Sequence, residues 1–187
     1  MDKREKLLLW GSNLWYFSEG LLGPLFAIFA ERVGGDIFEI ATAWATFLIV
    51  LGVVVIFVGK LADRYNDVGK AKIMLIGFYM AIPLTFCYIF VSNTLELFAL
   101  QVGLGIAGAL ASPTWDALYD KFSGDKQDAF LWGAATGTSN IVTGVAVIAG
   151  GFIVANWSFE LLFILMGTFQ TIAAIYQTRI FRMLKNK

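Results

Sequence analysis

Glu19 is an ionisable residue set deep inside a long apolar stretch. A charged carboxylate at that depth in lipid costs several kcal/mol, so such groups face water, a partner or a proton relay. Ser12, Tyr16, Glu19 and Gly23 recur at intervals of three and four, which on a helix places them in one stripe. Pro24 has no N–H to offer the Gly20 carbonyl beside that stripe. The chemistry this arrangement offers is proton exchange: a carboxyl that releases its proton to one aqueous side and regains it from the other. The alternative is a neutral carboxyl hydrogen-bonded to a neighbouring helix.

A second stripe runs through Gln101, Gly105, Gly108, Ser112 and then Trp115 or Asp116, and a third through Thr136, Asn140 and Thr143. Polar and small residues sharing a face inside lipid are either helix contacts or cavity lining. The small residues suit packing; for Gln101 and Asn140 both readings stay open. Trp44 and Trp115 could stack on a sugar ring or an amphipathic solute, whereas Trp132 suits an interfacial anchor. Asp116 reads as a gate or cavity carboxylate, or as a solvated charge at a helix end. With Asn13 beside Ser12, the candidate pathway residues are Asn13, Tyr16, Glu19, Trp44, Gln101, Trp115, Asp116 and Asn140. Away from their ends the apolar stretches hold no Arg or Lys to clamp a phosphate or carboxylate, so a solute here would be neutral or cationic.

The elements that must hold these residues follow from composition. With 58% hydrophobic and 15% charged residues and a mean hydropathy of +0.72, the 187-residue chain has more apolar surface than a water-soluble core consumes. Six stretches are long enough to cross about 30 Å of hydrocarbon as helices. They are predicted near Lys6–Ala30, Phe38–Val58, Ala71–Val91, Leu95–Tyr119, Ala129–Ala155 and Phe159–Phe181. Backbone groups in lipid must be paired within their own segment, and the runs are too long and uniformly apolar for barrel strands, so the fold class is an all-α membrane protein. The first stretch follows a basic start but runs for about 24 residues, a spanning length rather than that of a signal peptide.

Of the fourteen Lys and Arg residues, Lys3, Arg4 and Lys6 precede the first stretch, while Lys60, Arg64, Lys70 and Lys72 follow the second. Lys121 and Lys126 follow the fourth, Arg179, Arg182, Lys185 and Lys187 the sixth, and Arg32 alone lies on the opposite side. Basic short loops stay inside, so both termini are expected to be cytoplasmic. Trp10, Trp157 and Phe181 suit the headgroup level. Gly133, Gly137, Gly144, Gly150 and Gly151, with Gly105 and Gly108, mark the fourth and fifth spans as inner helices packed against others. No linker or soluble insertion interrupts the pattern, so residues 1–187 read as a single six-helix transmembrane domain.

Composition also excludes function classes. The chain has no histidine, which removes most zinc chemistry and the usual general base. Cys87 is the only cysteine, so no disulfide within the chain and no thiolate metal cluster can form. The zero net charge says little, since the placement of the charges matters and their sum does not; no nucleic-acid partner, metal or cofactor is expected. An intramembrane serine protease would have to activate Ser112 or Ser139 without histidine, and no nucleophile-elbow pattern is present.

Between the second and third spans stands Gly59-Lys60-Leu61-Ala62-Asp63-Arg64, followed by Gly69-Lys70. This resembles the signature turn of the major facilitator superfamily, in which a glycine, an Asp-Arg or Asp-Lys pair and a Gly followed by basic residues join the second and third helices. Four residues, Tyr65 to Val68, separate Arg64 from Gly69 where the family usually has one. Gly103-Leu104-Gly105-Ile106-Ala107 is similar to the family's glycine-rich fourth helix, with Ala99 where an arginine often stands. Gly133, Gly150 and Gly151 match positions of the fifth-helix antiporter pattern, while Val142, Ala146 and Val147 replace its Gly, Gly and Pro. The stretch from Gly150 to Phe163 also resembles the family's fifth-to-sixth hairpin.

The resemblance implies one six-helix repeat of a fold usually built from two. It implies a secondary transporter of a small organic solute working by alternating access, not an enzyme. The first, second, fourth and fifth helices would line the path. Gly59, Asp63, Arg64, Gly69 and Lys70 would form a cytoplasmic gate, a latch of charge pairs that breaks as that side opens. A single repeat encloses no path, so a parallel homodimer is expected, with true two-fold symmetry in place of the internal kind. The start at Met1 and the basic end at Lys187 read as a natural half-size chain rather than an excised half. The competing reading is a non-transporting scaffold or an accessory half that pairs with another subunit. The expected place is a bacterial or archaeal cell membrane.

Overall fold

The computed structural model describes residues 3–124 and 128–186. Lys126 and Lys187, counted above among the inward charges, lie outside the described residues. Among the described residues seven α-helices follow one another: α1 (Lys3–Leu22), α2 (Leu25–Arg32), α3 (Ile37–Ala62), α4 (Asp67–Cys87), α5 (Thr94–Ser123), α6 (Asp128–Asn156) and α7 (Phe159–Lys185). A short 3-10 turn, Tyr88–Phe90, extends α4, and no strand occurs among the described residues. Among the described residues five helices, α3 to α7, are long and apolar enough to cross a membrane.

The first predicted span differs from expectation, since it is two helices and not one. The Pro24 nitrogen cannot donate and its ring crowds the preceding turn. α1 therefore stops at Leu22, the Gly23 amide makes the last bond to the Glu19 carbonyl at 3.1 Å, and α2 restarts at Leu25. With Lys3, Arg4, Glu5 and Lys6 in its opening turns and Glu19 inside, α1 is long enough but not apolar enough to be counted with α3 to α7.

Polar caps set the starts of α3, α4, α5 and α7. Asp36 accepts from the Glu39 amide at 2.8 Å while the Glu39 carboxylate accepts from the Asp36 amide at 3.1 Å, a reciprocal capping box that opens α3. Asn66, Asn93 and Ser158 cap α4, α5 and α7 in the single-bond manner. Several helices outrun the predicted spans: α5 continues to Ser123 and α7 to Lys185, because a helix persists into the headgroup region where its last carbonyls meet water.

α5 packs along both α3 and α4, α1 packs along both α6 and α7, and α4 against α7 joins the two groups. The order of neighbours is thus α3, α5, α4, α7, α1, α6, with only light contact between α1 and α5. Lipid offers no hydrophobic drive for helix pairing, so close approach through small residues matters. A Cβ on Gly77 would sit 2.5 Å from the Ala107 carbonyl oxygen, and one on Gly105 2.9 Å from that of Phe47, which is why α4–α5 and α3–α5 need glycine there.

α6 departs from the expected inner helix. Gly150 and its neighbour Ala146 pack on α1, but a Cβ at Gly133, Gly137, Gly144 or Gly151 would meet nothing within 4 Å. The stripe of small residues reads identically in sequence whether a neighbour covers it or not, and here most of it is open. α3 is similarly bare, with Ile49, Val53, Ile56 and Phe57 exposed. Trp132 packs edge-on against Tyr119 at 5.3 Å.

Candidate functional site

A cavity of about 330 Å³ opens where α1 and α5 barely touch. α1 contributes Ser12, Trp15, Tyr16 and Glu19; α5 contributes Gly108, Ser112, Trp115 and Asp116; Phe47, Leu51 and Phe78 complete the wall from α3 and α4. The helical stripe of the first span and that of the fourth therefore face one space. Tyr16 and Glu19 remain exposed, as expected for side chains on an open wall.

The aromatic wall is held in place. Trp15 meets Phe78 edge-to-face at 4.7 Å. Trp115 stacks on Tyr119 at 4.9 Å, and its indole N–H donates to the Leu8 carbonyl at 3.4 Å. The Tyr119 hydroxyl donates in turn to the Leu131 carbonyl at 2.9 Å, so this aromatic column spans α1, α5 and α6.

Glu19 is tethered from behind. Gln170 on α7, fully buried, donates through Nε2 to Glu19 Oε1 at 2.9 Å and accepts at Oε1 from the Thr85 hydroxyl at 2.7 Å. A carboxylate only accepts, so the Gln170 amide turns its N–H toward Glu19 and its oxygen toward the Thr85 hydroxyl, which can donate. Sequence reasoning singled out neither Thr85 nor Gln170. A signal existed: Gln170 and Gln177 stand seven residues apart in an otherwise apolar span, on the same helical face. Both are fully buried, and the Gln177 amide donates to the Leu8 carbonyl at 3.3 Å.

The other candidates stand apart from the cavity. Trp44 lies between Phe26 and Phe47, at 5.4 and 5.7 Å, one turn along α3. Gln101 is 2% exposed and accepts from the Tyr88 hydroxyl at 3.0 Å, a helix contact. Asn13 faces α6, where the Thr138 hydroxyl approaches it at 3.5 Å. Asn140 is exposed on α6. No cluster of metal-ligating side chains occurs among the described residues.

The family model described as Major Facilitator Superfamily matches residues 8–185. The chain belongs to this superfamily. It is an integral, multi-pass membrane protein. Its similarity to an uncharacterized MFS-type transporter of Methanocaldococcus jannaschii is 24% identity over 156 residues, covering 83% of this chain and 40% of that protein. The chain thus aligns with well under half of this curated relative's length.

The turn that resembles the superfamily's signature accommodates its three extra residues in the helix junction. Asp63 closes α3 with its amide on the Gly59 carbonyl at 3.1 Å, and Arg64 follows with its amide on that of Leu61. Tyr65 then folds over Gly69, where a Cβ would lie 2.7 Å from that of Tyr65. The Asn66 side chain caps α4 by accepting from the Gly69 amide at 3.0 Å, while the Asn66 carbonyl accepts from the Lys70 amide at 2.9 Å. Gly69 and Lys70 therefore lie inside the first turn of α4. The Asp63 and Arg64 side chains are exposed and form no ion pair among the described residues. The pair that ties this turn down is Asp67 with Lys121 of α5, at 2.9 Å.

Proposed function

We propose that this chain is a six-span half-transporter, with its termini in the cytoplasm, that moves a small neutral or cationic organic solute as a parallel homodimer by alternating access. Glu19 is its proton-carrying group. Residues 1–187 act as one domain, in which α1 and α2 together complete the first span. The observation that carries the reading is the cavity between α1 and α5, with a carboxylate on its wall and a buried amide holding that carboxylate from α7.

The homodimer draws support from the bare faces of α3 and α6, the two ends of the series of packed helices. Thr136 and Asn140 are exposed there beside the open glycines, polar groups that lipid does not solvate. A second copy would cover them and close the path, and the one-sided Lys and Arg loops require that copy to insert in the same direction. The exposed turn from Gly59 to Lys70 serves as the cytoplasmic gate, with Asp67–Lys121 as the contact that must yield. The archaeal relative is in keeping with a prokaryotic cell membrane.

The experiment is uptake by proteoliposomes of a small solute panel, with and without a pH gradient, for the wild type and Glu19→Gln. The variant keeps an acceptor for Gln170 but has no proton to exchange, so gradient-driven accumulation should disappear. Solutes that equilibrate equally with and without protein would end the transporter reading.

A second reading, an accessory half paired with a different subunit, is favoured by the relative, in which the matched stretch is 40% of a longer chain. It predicts a chain that stays monomeric when purified and carries solute only when the other half is supplied.

A further inference from the structure

The cavity wall combines two carboxylates with a set of aromatic rings and no basic residue. Glu19 and Tyr16 enter from α1 and Asp116 from α5. Trp15, Phe47, Phe78 and Trp115 supply the rest of the aromatic surface. Trp115 has already given its N–H to the Leu8 carbonyl, so toward the cavity it offers a ring and not a donor. The face of an aromatic ring attracts a cation, most strongly where water is thin.

We infer that the solute of this cavity is an amphipathic organic cation, an amine or quaternary ammonium carrying an aromatic or aliphatic ring. This rests on the transporter reading for its use, while the site itself stands on the wall. Each class of solute can be weighed against that wall. An anion would meet two carboxylates and no Lys or Arg. A sugar or polyol needs a dense set of paired donors and acceptors, yet the amides suited to it, Gln101 and Asn140, stand elsewhere. What is left for it is Ser12, Ser112 and the Tyr16 hydroxyl. A ring-bearing cation uses everything present: the carboxylates for its charge, Trp115 and Tyr16 for its face, and Phe47, Leu51 and Phe78 for its apolar body. A volume of about 330 Å³ falls at the small end of ligand sites, which suits a solute of one or two rings.

The test is equilibrium binding of tritiated benzyltrimethylammonium to the wild-type protein in nanodiscs, with sorbitol and phenylacetate as competitors. The same probe is then followed for uptake in proteoliposomes. Saturable binding that neither competitor displaces is expected, weakened about ten- to a hundredfold by Asp116→Asn, as for loss of a charge-assisted contact. Trp115→Phe, which keeps a ring, should bind nearly as the wild type does, and Trp115→Ala should not. Displacement by sorbitol or phenylacetate, or binding left unchanged by Asp116→Asn combined with Glu19→Gln, overturns the inference. Because the competition needs no variant, a misfolded substitution does not remove the test. Accumulation of sorbitol or phenylacetate without benzyltrimethylammonium binding would sink the cation and spare the transporter. Bound probe that is never accumulated would uphold the cation site and sink the transporter.

Discussion

Replacing Gln170 by Leu keeps most of the side-chain volume and removes one amide that serves two partners, the Thr85 hydroxyl at 2.7 Å and Glu19 Oε1 at 2.9 Å. Each broken bond in a dry interior would cost about 1–3 kcal/mol if its partner stayed unsatisfied. Two features reduce that sum. Thr85 is buried, but a helical threonine can turn its hydroxyl onto the carbonyl one turn back, here Ala81. Glu19 is exposed on the cavity wall and regains water. Interhelical bonds in membranes couple by about 0.6 kcal/mol on average and about 1.7 at most. The expected loss is therefore about 1–2 kcal/mol.

The assay is a double-mutant cycle of Gln170→Leu with Glu19→Ala, read by reversible unfolding in mixed micelles. A coupling of about 1 kcal/mol is expected, since the two groups touch. Glu19→Gln alone should stay within about 0.5 kcal/mol of the wild type, because its carbonyl still accepts from Gln170. Costs that simply add in the cycle would mean that no bond joins these residues, and the tether behind Glu19 would have to be abandoned.

The glycines give further outcomes. Gly77→Ala drives a methyl group onto the Ala107 carbonyl and should destabilise the fold by about 1–3 kcal/mol, whereas Gly137→Ala meets open space and should leave monomer stability unchanged or slightly raised. Gly137→Leu, if a second copy covers α6, should weaken self-association measured by single-molecule photobleaching while the monomer stays folded. At the signature turn, Gly69→Ala should lower the melting temperature through its clash with Tyr65, and Tyr65→Ala should restore most of the loss. Equal melting temperatures for Gly69→Ala with and without Tyr65→Ala would contradict the packing described for that turn.

Helix positions were legible in the sequence because lipid forces long, internally bonded apolar segments, and their approximate bounds follow from length alone. The break at Pro24 is local too: a missing N–H is visible in any sequence, although the spanning length of Lys6–Ala30 concealed it. Periodicity likewise set Ser12, Tyr16 and Glu19 on one stripe and Gly108, Ser112 and Asp116 on another. That these two stripes share a cavity depends on how α1 and α5 cross, which no periodicity encodes.

Partners at long sequence separation were beyond reach for the same reason. Glu19 and Gln170 stand 151 residues apart and meet only because α7 packs along α1. Gln101 and Asn140 looked alike as amides in apolar spans, yet one bonds to Tyr88 and the other stays exposed. The small-residue stripes of α5 and α6 were equally alike, and packing covers the first and leaves most of the second open. The sequence by itself determined the solvent, the helices and the residues that had to face something other than lipid. Only the tertiary structure decided what each of them faces, because an amide, a carboxyl or a glycine carries no record of which distant helix will lie against it.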